Sequence, residues 1–156
     1  MPKIEAVIFD VDGTLVDTSE YIIQAYEHTL KHHGLPKRTR EEIASQIGRK
    51  LEDCYAFLAP GAEERALIDI HRAFQNENLA LVKPFDSCND VLEILATERK
   101  LAIFTSRKNI LPSLEVAGID TSLFAEVIDA NMFEKGKPDP EGIHLILGRM
   151  SLDPAQ

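Results

Sequence analysis

Two carboxylates two residues apart, Asp10 and Asp12, follow the apolar run Ile4-Glu5-Ala6-Val7-Ile8-Phe9, and Gly13 comes directly after them. Past the end of a strand the pleated alternation stops, so both side chains can turn toward one cavity. Together they can bind a hard divalent cation such as Mg²⁺, which takes oxygen ligands and keeps waters that a substrate phosphate can replace. One carboxylate can attack as a nucleophile, giving a covalent intermediate. The other can serve as general acid and base toward the leaving group and the attacking water. Gly13 lets the backbone come close to a ligand, and the N–H groups around it can cradle an anion. A plain turn is the competing reading, because Asp and Gly dominate turns.

The elements that position these residues are legible from periodicity. Ile4 to Phe9 reads as a buried strand. From Thr18 to His33 the period becomes helical, with Ile22, Tyr26 and Leu30 on one face, Ile23 beside them, and Gly34 and Pro36 as stops. Thr39-x-x-Glu42 predicts a capping box opening a helix toward Ile47. Gly48-Arg49-Lys50 breaks the pattern; Leu51 to Leu58 and roughly Ala62 to Leu79 resume it. Residues 18–82 are thus read as all helical. Asn89 to Arg99 is an amphipathic helix with Val91, Leu92 and Leu95 inward. Leu101 to Phe104 is a second buried strand ending at Thr105-Ser106, and a helix from Asn109 to Val116 follows. Ala125 to Ile128 is a third strand, then a polar loop from Asn131 to Pro140, then a helix carrying Ile143, Ile146, Leu147 and Met150. The expected fold is α/β, a Rossmann-like parallel sheet core interrupted early by an all-helical insertion: core 1–17 and 83–156, insertion 18–82. In open sheets of this kind the ligand lies beyond the carboxyl ends of the strands, where Asp10, Asp12, Thr105 and Ser106 sit.

Composition narrows the function. Of 156 residues, 44% are apolar and 28% charged, which suits a globular domain with a real core. A formal net charge of −9 argues against nucleic acid or an anionic membrane as partner. Met1-Pro2-Lys3 runs straight into a strand, which predicts no signal peptide, and no apolar run reaches membrane-spanning length. Cys54 and Cys88 lack metal or redox spacing and read as packing thiols. His28 and His32, one helical turn apart, read as a solvated face rather than a metal site. A soluble cytoplasmic protein is expected.

The run Asp10-Val11-Asp12-Gly13-Thr14-Leu15-Val16-Asp17-Thr18 after an apolar strand resembles the first motif of the haloacid dehalogenase-like superfamily, in particular its phosphoglycolate phosphatase-like and pyrophosphatase-like members. Thr105 resembles the second motif, a hydroxyl that bonds the transferring phosphoryl group. Lys137, in Gly136-Lys137-Pro138-Asp139-Pro140, resembles the third, a lysine that neutralises nucleophile and phosphate. The helical insertion matches the family's cap. The resemblance implies a phosphatase that hydrolyses a small phosphorylated metabolite. Asp10 attacks phosphorus to form an aspartyl-phosphate, Asp12 protonates the leaving alcohol and then activates water, and Mg²⁺ rests on the Asp10 carboxylate and the Asp12 carbonyl. Asp12 favours phosphate esters, because dehalogenases usually lack this second acid, phosphonate-cleaving relatives carry Ala there and transport ATPases Thr. Substrate binding falls to Gly13, Thr14 and Ser106, with Arg49 and Lys50 of the insertion suited to a carboxylate or second phosphate on the substrate. Arg107 could add positive charge over the phosphate, but it reads rather as an exposed arginine at a helix start.

The family's fourth motif, an acidic pair after a further strand, is not found after Met150; only Ser151 to Gln156 follow. In the family that strand lies beside the first, so the sequence predicts a bare apolar edge at Ile4 to Phe9 and self-association through it. It also predicts a chain that continues past Gln156 by roughly 40–50 residues, and poor turnover without them. Two alternatives stand beside the phosphatase. One is an inactive member of the fold that binds a ligand or partner. The other is a sugar-phosphate mutase-type phosphotransferase, a branch that usually has a histidine where this chain has Ile22.

Overall fold

In a computed structural model the described residues are 4–47, 49 and 51–153. The chain divides into two compact units, residues 1–17 with 83–156 and residues 18–82. The first is an α/β unit whose parallel sheet has strand order β1-β4-β5: β1 Ala6–Phe9, β4 Lys100–Phe104, β5 Phe124–Ile128. Phe9 lies beside Ile103, and Phe104 beside Ile128, so the strands end level with one another. Central β4 buries Leu101 through Phe104. Ala102 and Phe104 face α7 (Glu141–Met150) and pack with Ile128, Ile146 and Met150. Alternation sends Leu101 and Ile103 to the opposite face.

The residues of β1 read as a buried strand, whereas the missing partner strand predicts a bare edge; the structure has the edge, with all four residues of β1 only half-buried and Ile4 before it 60% exposed. The reason is topological. β1 pairs with β4 on one side, and among the described residues no strand lies on the other. The inward set of α5 (Cys88–Ala96) is corrected too: Leu92 is buried, but Val91 is 50% exposed. Leu92 is flanked by the half-buried Cys88 and Leu95, and Val91, about 100° around the helix from Leu92, stands at the outer edge of that face. The helix expected from Asn109 starts later, as α6 Leu111–Val116, because Asn109 has φ +52° and Pro112 suits only the first turn. Two strands of two residues each, too short for any pattern, were not foreseen. β2 (Val16–Asp17) and β3 (Lys83–Pro84) pair antiparallel, clasping the points where the chain leaves and re-enters this unit.

The second unit is helical: α1 Ser19–His32, α2 Arg40–Ala44, α3 Leu51–Leu58, α4 Glu64–Glu77, then a 3₁₀ turn Leu79–Leu81. The capping box forms as expected: Thr39 Oγ1 accepts from Glu42 N–H, and the Glu42 carboxylate accepts from Thr39 N–H at 2.8 Å. Helices α1, α3 and α4 enclose Tyr26, Leu30, Cys54, Tyr55, Leu58 and Leu67. His71 is buried among them, its Nδ1 sharing a 2.8 Å hydrogen bond with the Tyr55 hydroxyl and its ring 4.6 Å from that of Tyr26. Burial, helped by the charge of Arg72, lowers the His71 pKa to about 4. An unfolded chain, with histidine near 6.5, therefore takes up this proton first as pH falls. Stability from the neutral imidazole is complete above about pH 6.5, is lost as pH drops toward 4, and changes no further below that. Between about pH 7.5 and 5 the loss should be about 2 kcal/mol. Urea unfolding at the two pH values checks it; His71→Gln should flatten the dependence, and equal losses in both proteins would assign it elsewhere.

Among the described residues no helix is long and apolar enough to cross a membrane.

Candidate active site

The polar residues picked from the sequence lie at the carboxyl ends of the parallel strands. Asp10 follows β1 directly. Its Oδ1 accepts from the Val11 N–H at 2.7 Å and from Lys137 Nζ at 2.9 Å. Lys137 comes from the loop between β5 and α7, where the Lys137–Pro138 peptide is cis. Its ammonium also lies 4.9 Å from the centroid of the Phe104 ring, a cation over an aromatic face. Asp10 and Lys137 border a cavity of about 410 Å³ with Ile8, Phe9, Phe104, Pro138, Asp139, Pro140 and Ile143. At 47% and 35% side-chain exposure this pair adds little stability, so its significance is chemical.

Asp12 does not share that cavity's wall. It turns to a different cation: Arg107 Nη1 lies 3.3 Å from Asp12 Oδ1, and Nη2 donates to the buried Ser113 Oγ at 3.0 Å. The expectation that Arg107 stands exposed is thereby corrected, its side chain being only 22% exposed. The arginine begins no helix; it sits in the turn after β4, whose geometry aims it back across the strand ends.

Thr105 is fully buried where β4 ends. Its Oγ1 accepts the Arg107 N–H at 3.2 Å, which leaves the hydroxyl proton to be donated elsewhere. Ser106, Gly13 and Thr14 are exposed. The anion cradle foreseen around Gly13 is not formed by its own amide or its neighbour's. Gly13 N–H donates to the Val16 carbonyl at 2.9 Å and Thr14 N–H to the Val11 carbonyl at 3.1 Å. What Gly13 supplies is a φ of +73°, which closes the turn and returns the chain to β2. Arg49 is exposed in the helical unit; Gly48 and Lys50 lie outside the described residues.

One acid was not singled out. Asp129 follows β5 as Asp10 follows β1, and it is 8% exposed. Its two oxygens accept from the N–H groups of Asn109 at 3.0 Å and Asn131 at 2.9 Å, and Asn131 Nδ2 donates to Asn109 Oδ1. The Ala130 N–H also donates to the Arg107 carbonyl at 2.9 Å. Asp129 thus ties the turn after β4 to the turn after β5 and fixes the backbone that carries Arg107. The same rule that picked Asp10, polar residues just past a strand, would have found it.

Among the described residues no three His, Cys, Asp or Glu side chains are grouped to hold a metal. That excludes a dedicated all-protein cage among these residues, but not a site for Mg²⁺, which binds through one or two carboxylates plus a substrate phosphate. Both protein contacts of the Asp10 carboxylate fall on Oδ1. The other oxygen, and the main-chain carbonyl of Asp12 two residues on, are hard oxygen donors of the kind that ion takes.

A family model described as haloacid dehalogenase-like hydrolase matches residues 7–156. Pyrophosphatase PpaX of Bacillus pumilus is 33% identical over 155 residues, covering 97% of this chain and 71% of the relative. Pyrophosphatase PpaX of Listeria monocytogenes is 35% identical over 159 residues, covering 96% and 70%. The structure of a haloacid dehalogenase-like family protein from Streptococcus pneumoniae superposes with a TM-score of 0.82 at 27% identity, over 98% of this chain and 73% of that one.

Proposed function

We propose, for a chain that belongs to the haloacid dehalogenase-like hydrolases and is a phosphatase by its relatives, Mg²⁺-dependent hydrolysis of a small phosphorylated metabolite through an aspartyl-phosphate on Asp10. The observation that carries this reading is the pairing of the two carboxylates after β1 with separate cations, Asp10 with Lys137 and Asp12 with Arg107. A bare turn has no need of either cation.

In the first step an Asp10 carboxylate oxygen forms a bond to phosphorus while the bond from phosphorus to the leaving oxygen breaks, its electron pair staying on that oxygen. Asp12 gives the leaving oxygen a proton. In the second step Asp12 takes a proton from water, the water oxygen bonds to phosphorus, and the acyl-phosphate bond breaks to restore the Asp10 carboxylate. Lys137 holds Asp10 in place against the phosphoryl group's own negative charge, and the Thr105 hydroxyl proton is suited to a phosphoryl oxygen. Asp10 and the Asp12 carbonyl would hold Mg²⁺, which when bound would supply positive charge where a carboxylate meets a phosphate dianion. The reading includes a cytoplasmic location, which suits the free thiols Cys54 and Cys88.

Release of inorganic phosphate should be followed over a panel holding pyrophosphate, a phospho-hydroxy acid and neutral alcohol phosphates. Turnover should require added Mg²⁺, fall at least tenfold (about 1.4 kcal/mol in barrier) under a chelator, and return with excess Mg²⁺. Phosphate release indifferent to chelation, or no release from any member of the panel, would refute the reading.

A further inference from the structure

Arg107 is held more firmly than a surface arginine needs to be. Its backbone N–H is bound by Thr105 Oγ1, its carbonyl by Ala130 N–H, and its guanidinium by Ser113 Oγ and Asp12 Oδ1. Asp129 pins the adjoining turns through Asn109 and Asn131. Such anchoring fixes where a planar, permanently charged fork stands. It stands beside the carboxylate that serves the leaving group, whereas Lys137 stands beside the nucleophile.

We propose that Arg107 is a specificity-determining residue that selects phosphate compounds whose leaving group is itself an anion, a phosphate or a carboxylate next to the scissile oxygen. This rests on the phosphatase reading, because the proximity of Arg107 to the leaving group follows from the role of Asp12. The charges at the strand ends support it. Asp10 and Asp12 are matched one to one by Lys137 and Arg107. A leaving group with its own negative charge meets the Asp12 carboxylate unfavourably unless a cation is fixed on the same side. A guanidinium 3.3 Å from Asp12 Oδ1 is within one contact of any oxygen that Asp12 can protonate. Its fork geometry suits carboxylate and phosphate alike. A neutral alcohol offers it nothing.

The test compares pyrophosphate, 2-phosphoglycolate and glycerol phosphate, with Mg²⁺ in excess, on the full chain and its Arg107→Ala and Arg107→Lys variants. Arg107→Ala should lower kcat/KM for the two anionic-leaving-group substrates by roughly 10- to 100-fold more than for glycerol phosphate, with Arg107→Lys in between. A loss confined to pyrophosphate identifies a phosphate as the leaving group selected; one confined to 2-phosphoglycolate identifies a carboxylate. An equal loss on all three substrates overturns the proposal and leaves Arg107 as a residue that only positions Asp12. Calorimetric binding of the same three compounds to Asp10→Asn, with and without Arg107→Ala, repeats the comparison without turnover. Selective weakening there supports the proposal even if the wild-type chain hydrolyses nothing, an outcome that would count against the phosphatase reading alone. Indifference of all three affinities to Arg107 overturns it.

Discussion

Asp10→Asn should reduce phosphate release by at least about 10³-fold while leaving the folded protein intact. The substitution keeps the size and shape of the side chain and removes the charge. An amide oxygen can still accept from the Val11 N–H and from Lys137 Nζ, the two contacts made by Oδ1. Because the side chain is 47% exposed, loss of its ion pair should cost well under about 1 kcal/mol of stability. The melting temperature should therefore stay close to wild type while turnover collapses, which separates a chemical role from a structural one. Acid-quenched wild-type protein should carry one phosphoryl group on the peptide containing Asp10, and the variant none. A variant that keeps more than a tenth of wild-type activity, or a phosphoryl group found on another peptide, would remove Asp10 as nucleophile.

How much of this site was legible in the sequence depends on the kind of interaction that sets each residue. The positions of Asp10 and Thr105 at strand ends were legible because the signal is local: an apolar run followed by a polar residue marks where a strand ends. That Lys137 reaches Asp10 was legible only through a motif, because nothing local distinguishes a loop lysine that crosses to Asp10 from one that points into water. Arg107 was seen and given the wrong surroundings. Its partners Asp12 and Ser113 lie 95 residues before it and six after it, and the turn after β4 that aims it has no periodicity to read. Gly13 and Thr14 show the opposite error. A glycine beside carboxylates suggested free amides for an anion, but a tight turn spends its N–H groups on its own carbonyls. The half-burial of β1 is not in its own residues, because an apolar strand looks the same at the edge of a sheet as at its centre; it was legible only through the partner strand that the family places beside it and that is not found after Met150.

Gly142→Ala should destabilise the protein, although alanine is the better helix former. Gly142 is the second residue of α7 and is buried against β4. A Cβ built there overlaps the edge of the Phe104 ring, lying 2.7 Å from its Cδ2 and nearer still to Cε2 and Cζ. The ring cannot simply swing aside. It is packed in the cluster of Ala102, Ile128, Ile146 and Met150, and stands edge-to-face with Phe133 at 5.3 Å. Helix propensity would favour alanine by at most about 1 kcal/mol, and less in a first turn. Overpacking a buried aromatic costs about 1–3 kcal/mol. Packing wins, and a net loss of about 1–2 kcal/mol should lower the melting temperature by roughly 2–8 °C. The effect reaches the site, because the ring that must move is the one beneath the Lys137 ammonium. Turnover should fall a few-fold with the stability. Replacing Phe104 with leucine should relieve the clash, so the penalty of Gly142→Ala in a Phe104→Leu background should drop by half or more. A Gly142→Ala protein that melts at or above the wild-type temperature would mean that α7 can lift from the sheet without cost. The absence of a side chain at this position would then have no bearing on where Lys137 is held.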